Sequence, residues 1–370
     1  MATKMNFVRN GLLIGLTIAL LSMIVISGSA TLTTSARFDS LIDLTHDSEL
    51  SVKTTATSGA SVLDSCELAA AQSSVYDPAD GYVYVASDGP ISIVKPPCTV
   101  IGSLTPTYGA FALAYDPLTK EVVTTAAAFS EANFAYVLAG TSLVATVKLG
   151  PSLNCPISAA WDPAISAILI GNEGCGPGGV SVLYLALVNG VTHAAVIEDA
   201  FDSGSADTSL LVADGYIFSA GANVSVFNDR TFAFVGQFAV SQFTRDGAFN
   251  HLAWDPLNDT VVLGITEAPS VASVLFLNAS GILARHFDFQ QFKTVGILAG
   301  GVGGAAYSPA TQSVYLSAAD GNDIWELSKS GDLTHVYLGK IVAPEGLAYD
   351  PTSHEMYVCG ENSNMLYVIR

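Results

Sequence analysis

The sequence predicts an all-β fold, a seven-bladed β-propeller of four-stranded blades. The first observation is a motif in which an aromatic residue and Asp-Pro end one strand, and a second strand rich in β-branched and aromatic residues follows a short turn. Six overt copies, one with Ser in place of Asp, are Tyr76-Asp77-Pro78, Tyr115-Asp116-Pro117, Trp161-Asp162-Pro163, Trp254-Asp255-Pro256, Tyr307-Ser308-Pro309 and Tyr349-Asp350-Pro351. The second observation is their spacing, because about 45 residues with room for four strands is a propeller period.

A seventh copy lies in the double-length gap between Trp161 and Trp254. Asp214-Gly215-Tyr216 aligns with Asp80-Gly81-Tyr82 of the first copy, which places an eroded anchor at Leu211. The anchors then stand at positions 77, 116, 162, 211, 255, 308 and 350, between 39 and 53 residues apart. These repeats predict one continuous ring.

The recurrent aspartates are expected to serve the fold. An Asp that ends a strand before Pro can accept backbone N–H groups of the following turn, as in an Asx-turn. This interpretation applies to Asp77, Asp116, Asp162, Asp255 and Asp350.

The repeat resembles the YVTN-type β-propeller of archaeal and bacterial surface or exported proteins. The resemblance lies in Tyr-Val second strands such as residues 82–85, third strands such as 224–227, and fourth strands that end in Gly, such as 143–150. It covers about residues 60–370, although the literal Tyr-Val-Thr-Asn string does not occur. The resemblance implies a propeller at the cell surface and implies no particular chemistry.

The N-terminal residues predict export. Lys4 and Arg9 precede an apolar run that extends over residues 11–28, and the small residues at 28–30 suit a signal peptidase. Residues 1–30 are therefore a signal peptide or a retained membrane anchor, and both would place the propeller outside the cell. Residues 31–48 are expected to form a stalk or a short cap, and residues 49–370 the propeller.

The last blade needs its fourth strand from elsewhere in the chain, because residues 365–369 are the third strand of that blade. The alternating Thr- and Val-rich residues 50–58 are the predicted partner. Pairing these segments would close the ring and cover an exposed sheet edge.

The net charge limits the possible partners. A balance of 14 basic and 33 acidic residues gives a net charge of −19, which repels nucleic acid and anionic lipid. This charge suits an extracellular medium or an acidic face for cationic ligands.

Five cysteines predict two disulfides and one remaining thiol. Cys155 and Cys175 flank the first two strands of blade three and form the predicted pair, whereas Cys66 could bind Cys98 or Cys359.

The mouth of the central channel is the candidate site for chemistry. Counting back five residues from the anchors gives Gln72, Phe111, Ile157, Asn250, Gly303 and Glu345. The polar candidates are Gln72, Asn250 and Glu345, and residues 344–348 are similar to the start of the inner strand in calcium-dependent lactonase-type propellers. A hard cation takes about six to eight oxygens, more than this set offers, so no metal and no cofactor are predicted.

The variable loops form the candidate binding face. Residues 171–179, 319–323 and 360–364 each join a second strand to a third strand, so they share one face. The candidate contact residues are Asn172, Glu173, Asn322, Asp323, Glu361 and Asn362. Acceptor sequons for glycans begin at Asn223, Asn258 and Asn278.

The sequence therefore predicts an exported, non-catalytic surface propeller that binds a protein or a glycan through loops on one face. Membrane contact is expected only through an uncleaved N-terminal segment. The six histidines share no motif position, and no catalytic residue is predicted. The alternative is a calcium-dependent lactonase-like or cofactor-dependent exported enzyme that uses the central channel.

Overall fold

The structure of the propeller is a computed structural model. It describes residues 61–87, 89–106, 109–127, 134–149, 155–172, 182–202, 209–221, 223–240, 250–267, 271–278, 281–288, 302–318, 322–328, 333–336 and 341–370. The predicted export segment and the predicted stalk or cap lie outside these ranges. Among the residues described, none belongs to a helix long and apolar enough to cross a membrane.

Four-stranded antiparallel sheets form the seven blades. Blade one consists of β2 (Ala71–Asp77), β3 (Tyr82–Ser87), β4 (Ile91–Lys95) and β5 (Thr99–Leu104). Blade two consists of β6 (Gly109–Asp116), β7 (Glu121–Ala127), β8 (Phe134–Ala139) and β9 (Ser142–Lys148). Blade three consists of β10 (Pro156–Asp162), β11 (Ala167–Asn172), β12 (Val182–Asn189) and β13 (Ala194–Asp202). Blade four consists of β14 (Ser209–Ala213), β15 (Tyr216–Ala220), β16 (Val224–Asn228) and β17 (Phe234–Phe238).

The remaining blades follow the same order. Blade five consists of β18 (Asn250–Asp255), β19 (Thr260–Glu267), β20 (Val271–Asn278) and β21 (Leu283–Asp288). Blade six consists of β22 (Val302–Ser308), β23 (Ser313–Ala318), β24 (Asp323–Ser328) and β25 (Leu333–Val336). Blade seven consists of β26 (Pro344–Asp350), β27 (Glu355–Gly360), β28 (Met365–Ile369) and, from the other end of the chain, β1 (Val62–Glu67). The predicted seven-bladed propeller is thus confirmed.

The blades form a closed ring because the first strand of each blade contacts the first strand of the next, and β26 contacts β2. Hydrophobic clusters fill the spaces between neighbouring blades. One cluster joins Tyr84 of blade one to Tyr136 of blade two, and another joins Ile324 of blade six to Val358 of blade seven. Because both faces of a blade are covered in this way, the second and third strands read as nearly continuous apolar runs.

The aspartates of the repeat accept backbone hydrogen bonds, as predicted. The Oδ1 atom of each accepts the N–H group two residues further on, at 2.7 Å for Asp77, 2.8 Å for Asp116 and Asp162, 3.0 Å for Asp255 and 2.7 Å for Asp350. The residue four positions after the anchor has a positive φ in these turns, for example 59° at Lys120 and 60° at His354. The Asp side chain therefore holds the turn that joins the first two strands.

The aromatic residue before the anchor links neighbouring blades. The Tyr115 hydroxyl of blade two hydrogen-bonds the Asp77 carboxylate of blade one. Similarly, the Tyr76 hydroxyl of blade one lies 3.4 Å from the Thr352 hydroxyl in the corresponding turn of blade seven. The motif thus combines a turn with a contact between blades.

The anchor of blade four is Ala213, not Leu211 as predicted. Ala213 pairs with Tyr216, so the turn contains only Asp214 and Gly215, with φ values of 50° and 82°. Two positive φ values are typical of a type I′ hairpin, which needs two residues where the other blades use four. The prediction failed because the alignment counted back from Asp214-Gly215 across a longer turn that this blade lacks.

An N-terminal strand closes the ring, as predicted, but the predicted segment was wrong. Residues 62–67, rather than 50–58, pair with Met365–Ile369, from Val62 opposite Ile369 to Glu67 opposite Met365. The outermost strand of blade seven must lead directly into the innermost strand of blade one, and only residues 68–70 separate β1 from β2. A strand at 50–58 would leave that connection much longer.

The structure shows which cysteine binds Cys66. Cys66 of β1 and Cys98 are disulfide-bonded, which settles the alternatives left open for Cys66 and fastens the closing strand to blade one. Cys359 is a buried free thiol. Cys155 is also disulfide-bonded, and because Cys175 lies outside the described residues, their pairing stays a prediction.

Candidate functional site

The inner strands of five blades carry a β-bulge at the channel position that was counted back from the anchor. The bulges fall at Gln72, Phe111 with Ala112, Ile157, Gly303, and Glu345 with Gly346. A bulge leaves its residue unpaired with the adjacent strand, bends the strand and changes the direction of the side chain. The same position of the repeat is therefore bulged in five blades.

Close backbone packing surrounds Glu345 at the contact of blades six and seven. A Cβ atom on Gly303 would lie 2.7 Å from the Pro344 carbonyl oxygen and 3.2 Å from Glu345 Oε2. The Ser317 hydroxyl donates to the Glu345 carbonyl oxygen at 2.6 Å, which fixes the bulge from the adjacent strand of blade six. Glu345 is only 8% exposed, so its carboxylate is held in a mostly dry position beside the channel.

Gln72 lies at the contact of blades seven and one. Its Nε2 group donates to Glu361 Oε1 at 3.3 Å. Its Oε1 atom is buried and has no hydrogen-bond partner among the residues that the structure describes. The Gln72–Glu361 bond thus connects the channel mouth to the β27–β28 loop, and it leaves an acceptor for a small donor such as water.

Cys359 lies near this site but does not supply a nucleophile. Burial raises the pKa of its thiol to about 12, and the negative charge of Glu345 adds to the increase, while the Ser74 hydroxyl partly offsets it. A buried, protonated thiol is chemically inert.

The candidate polar residues do not form one metal-ligand set. Gln72 and Glu345 stand on adjacent blades, whereas Asn250 begins β18 of blade five, where its backbone pairs with Ile265. Phe111 and Ile157 occupy the equivalent positions of blades two and three. Within the described ranges, no group of three or more His, Cys, Asp and Glu side chains is arranged to hold a metal ion.

Loops of blades six and seven and the connection into blade one are hydrogen-bonded to one another. Asn322 Oδ1 accepts the Ala343 N–H group at 2.9 Å, and the Glu361 N–H group donates to the Ala343 carbonyl oxygen at 3.0 Å. Asn364 Oδ1 accepts the Ala70 N–H group at 3.0 Å. These bonds join four chain segments into one surface: the β23–β24 loop, the β25–β26 connection, the β27–β28 loop and the β1–β2 connection.

We call the exposed part of this surface the upper patch. Its residues are Ala69, Asn322, Val342, Asn362 and Asn364, all exposed, with Val342 at 44%. They are uncharged, although the chain as a whole is strongly acidic. The patch therefore offers amide hydrogen-bonding groups together with two exposed aliphatic side chains, of which Val342 is the larger.

The predicted binding residues divide into three groups. Asn322 and Asn362 are exposed in the upper patch. Asp323 is buried, and Glu361 is half-buried and holds Gln72, so these two serve the scaffold. Asn172 ends β11, and Glu173 lies outside the described residues, so their contribution stays a prediction.

Two of the three sequon asparagines take part in turns. Asn258 Nδ2 donates to Asp255 Oδ2 at 2.7 Å, and Asn278 Oδ1 accepts the Ile282 N–H group at 2.9 Å. Asn223 is half-buried at the start of the third strand of blade four. Glycosylation at all three positions stays a prediction.

Sequence reasoning missed Ala69, Val342 and Asn364. Ala69 and Val342 stand in connections between blades rather than in the variable loops, and no residue type marks them as contact residues. Asn364 ends the variable loop at 360–364, but it was not among the residues selected there. A usable signal is the residue type, because Asn tolerates a positive φ at the end of a turn better than most residues do. Asn364 has a φ of 54°.

Comparisons with known proteins show the fold. No family model matches the sequence, and no curated protein matches it significantly. Among solved structures, hydrazine synthase of Kuenenia stuttgartiensis is 13% identical with a TM-score of 0.63, covering 82% of this chain and 96% of that one. The WD40 β-propeller domain of Doa1 is 11% identical with a TM-score of 0.64 (85% and 97% covered), and streptogramin B lyase is 9% identical with a TM-score of 0.64 (82% and 94% covered). These similarities and the closed ring of seven four-stranded sheets identify the chain as a seven-bladed β-propeller.

Proposed function

We propose that this chain is an exported, non-catalytic binding propeller of the YVTN type that contacts a protein or glycan partner at the cell surface through the upper patch. Export is supported by the apolar N-terminal run after Lys4 and Arg9, and by the Cys66–Cys98 disulfide, since such bonds persist in oxidising compartments.

One observation carries the proposal: the upper patch is both exposed and preorganised. The side-chain oxygens of Asn322 and Asn364 accept backbone N–H groups of neighbouring segments, and the Glu361 N–H group donates to a backbone carbonyl oxygen, all at 2.9 to 3.0 Å. A surface that is already ordered loses little conformational entropy when it binds. Its amides and its aliphatic side chains suit a partner rich in hydroxyl or peptide groups more than a charged partner.

The test is binding of the purified, labelled mature protein to isolated cell envelopes of the producing organism. The double change Val342→Glu with Asn362→Ala is expected to weaken binding at least about tenfold, because loss of about 1.4 kcal/mol of interaction has that effect. The melting temperature should stay within about 2 °C of the wild-type value, since both side chains are exposed.

Leu118→Glu is the matched control. Leu118 is 64% exposed in the turn between the first two strands of blade two, on the opposite face of the ring. This variant should bind envelopes like the wild type. Equal weakening by both variants, or no saturable binding by the wild type, would reject the upper patch as the contact surface.

The buried carboxylate of Glu345 favours a second candidate, an exported enzyme that uses the channel mouth. Streptogramin B lyase, by its name, is an enzyme on this fold, so fold alone does not decide. Saturable hydrolysis of a lactone or an ester by the purified protein, lost with a chelator and with Glu345→Ala, would assign the protein to this class.

A further inference from the structure

A β-bulge recurs near the start of the outer strand in four blades. The bulged residue, which lies opposite no residue of the third strand, is Leu63 in β1, Ile101 in β5, Val144 in β9 and Val235 in β17. All four side chains are aliphatic, and they are between 37% and 47% exposed. Because a bulge changes the direction of its side chain, these blades each present an aliphatic group to solvent at an equivalent level of the ring.

Three of these blades, seven, one and two, are neighbours, and their bulged residues follow one another along the edge of the ring. The Cys66–Cys98 disulfide, with Cα atoms 5.5 Å apart, joins β1 to the residue before β5. A Cβ atom on Gly102 of β5 would lie 3.2 Å from Cγ2 of Thr141, in the turn before β9. We call the exposed aliphatic residues of this edge the rim stripe, which consists of Leu63, Val100, Ile101, Leu143 and Val144, each at least 37% exposed.

The charges around the rim stripe are balanced. On β1, β4, β5 and β9 the exposed charged residues are Asp64, Glu67, Lys95 and Lys148. These two acidic and two basic residues contrast with 33 acidic and 14 basic residues in the whole chain. The acidic excess that makes the chain repel anionic lipid is therefore not carried by these strands.

The rim stripe is too small to hold two copies of the chain together by itself. Five aliphatic side chains that are exposed by about two fifths offer on the order of 300 Å² of apolar surface, whereas a standard interface buries about 800 Å² on each partner. A contact of this size becomes effective when a tether raises the local concentration of the surface that it meets.

The chain enters the propeller at one end of the rim stripe. Ser61 and Arg370 are joined by backbone hydrogen bonds, and Leu63 follows two residues after Ser61. The apolar run predicted as a signal peptide or a retained anchor covers residues 11–28, so 32 residues, from 29 to 60, separate it from Ser61. Because 32 residues can span up to about 110 Å, such a tether alone would not fix the orientation of the ring.

We propose that the N-terminal segment is retained as a membrane anchor and that the rim stripe rests on the lipid surface, with blade one nearest the membrane and blades four and five farthest from it. Aliphatic side chains that enter the boundary between headgroups and acyl chains are removed from water, which stabilises this orientation. The contact is separate from the upper patch and does not depend on the partner proposed for that patch.

The test places nitroxide labels on the full-length chain in phosphatidylcholine nanodiscs that hold one chain each. Val144→Cys carries the label in the rim stripe, and Val235→Cys is the matched control, because both valines are bulged residues of outer strands and are 44% and 47% exposed. The buried thiol of Cys359 is not expected to react with the label. The ratio of label accessibility to oxygen, which concentrates in lipid, over accessibility to a water-soluble nickel chelate should be at least about threefold higher at residue 144 than at residue 235.

Leu63→Glu combined with Ile101→Glu is expected to lower the ratio at the Val144 label to the value of the control label, because two carboxylates would then face the lipid. The melting temperature should stay within about 2 °C of the wild-type value, since both side chains are exposed. Leu257→Glu combined with Ile282→Glu, two exposed positions of blade five, should leave the ratio unchanged.

Equal ratios at the two labels in the otherwise unchanged chain would overturn the proposal. A high ratio at the Val144 label that appears only when a disc holds two chains would also overturn it and would assign the rim stripe to a second copy. So would mature protein from the producing organism whose intact mass shows that residues 1–30 have been removed.

Discussion

A chain that begins at residue 68 is expected to lose the cooperative unfolding transition of the propeller or to melt far below a chain that begins at residue 61. The second chain keeps β1, whose pairing with β28 starts at the Ser61–Arg370 backbone hydrogen bonds and continues to Glu67 opposite Met365. The first chain leaves β28 as a bare edge and opens the seam between blades seven and one. Thermal and guanidinium unfolding, followed by circular dichroism, measure the difference.

Part of the expected loss comes from the disulfide. The Cys66–Cys98 bond spans 32 residues, for which the chain-entropy model gives about 3–4 kcal/mol. Cys98→Ser in the longer chain isolates this contribution and should lower stability by less than removal of the whole strand. If the chain from residue 68 melted within about 2 °C of the chain from residue 61, strand closure would not hold the ring together.

The repeat and its turns were predictable because their signals are local. Asp77 and its equivalents act on backbone groups two residues away, so residue type and spacing suffice to predict their role. The closing strand was predicted in kind but not in position. β1 contains Asp64, Ser65 and Glu67, which weakens the strand signal, and its pairing depends on a partner that lies about three hundred residues further along the chain.

The site was only partly predictable for the same reason. Counting from the anchors found Gln72 and Glu345, because the distance from turn to channel mouth is fixed along one strand. The bulges at these positions depend on register with a second strand, which the sequence does not display.

Gly304→Ala and Gly346→Ala are expected to destabilise the ring strongly. A Cβ atom on Gly304 would collide with the Glu345 carbonyl oxygen, and one on Gly346 would lie 2.7 Å from both the Gln72 carbonyl oxygen and Ser73 Cα. The obstructing atoms belong to backbone that neighbouring strands hold in place, so they cannot move aside cheaply. We expect each change to cost about 1–3 kcal/mol of unfolding free energy, measured by guanidinium denaturation.

Gly236→Ala is the matched control, because Gly236 lies on the outer strand β17 and has no atom within 4 Å of an added Cβ. This variant should stay within about 0.5 kcal/mol of the wild type. The contrast would locate the cost at the contact of inner strands rather than in the replacement of Gly itself. Stability of Gly304→Ala equal to that of the control would mean that blades six and seven approach less closely than the structure shows, and the burial of Glu345 at the channel mouth would then lose its basis.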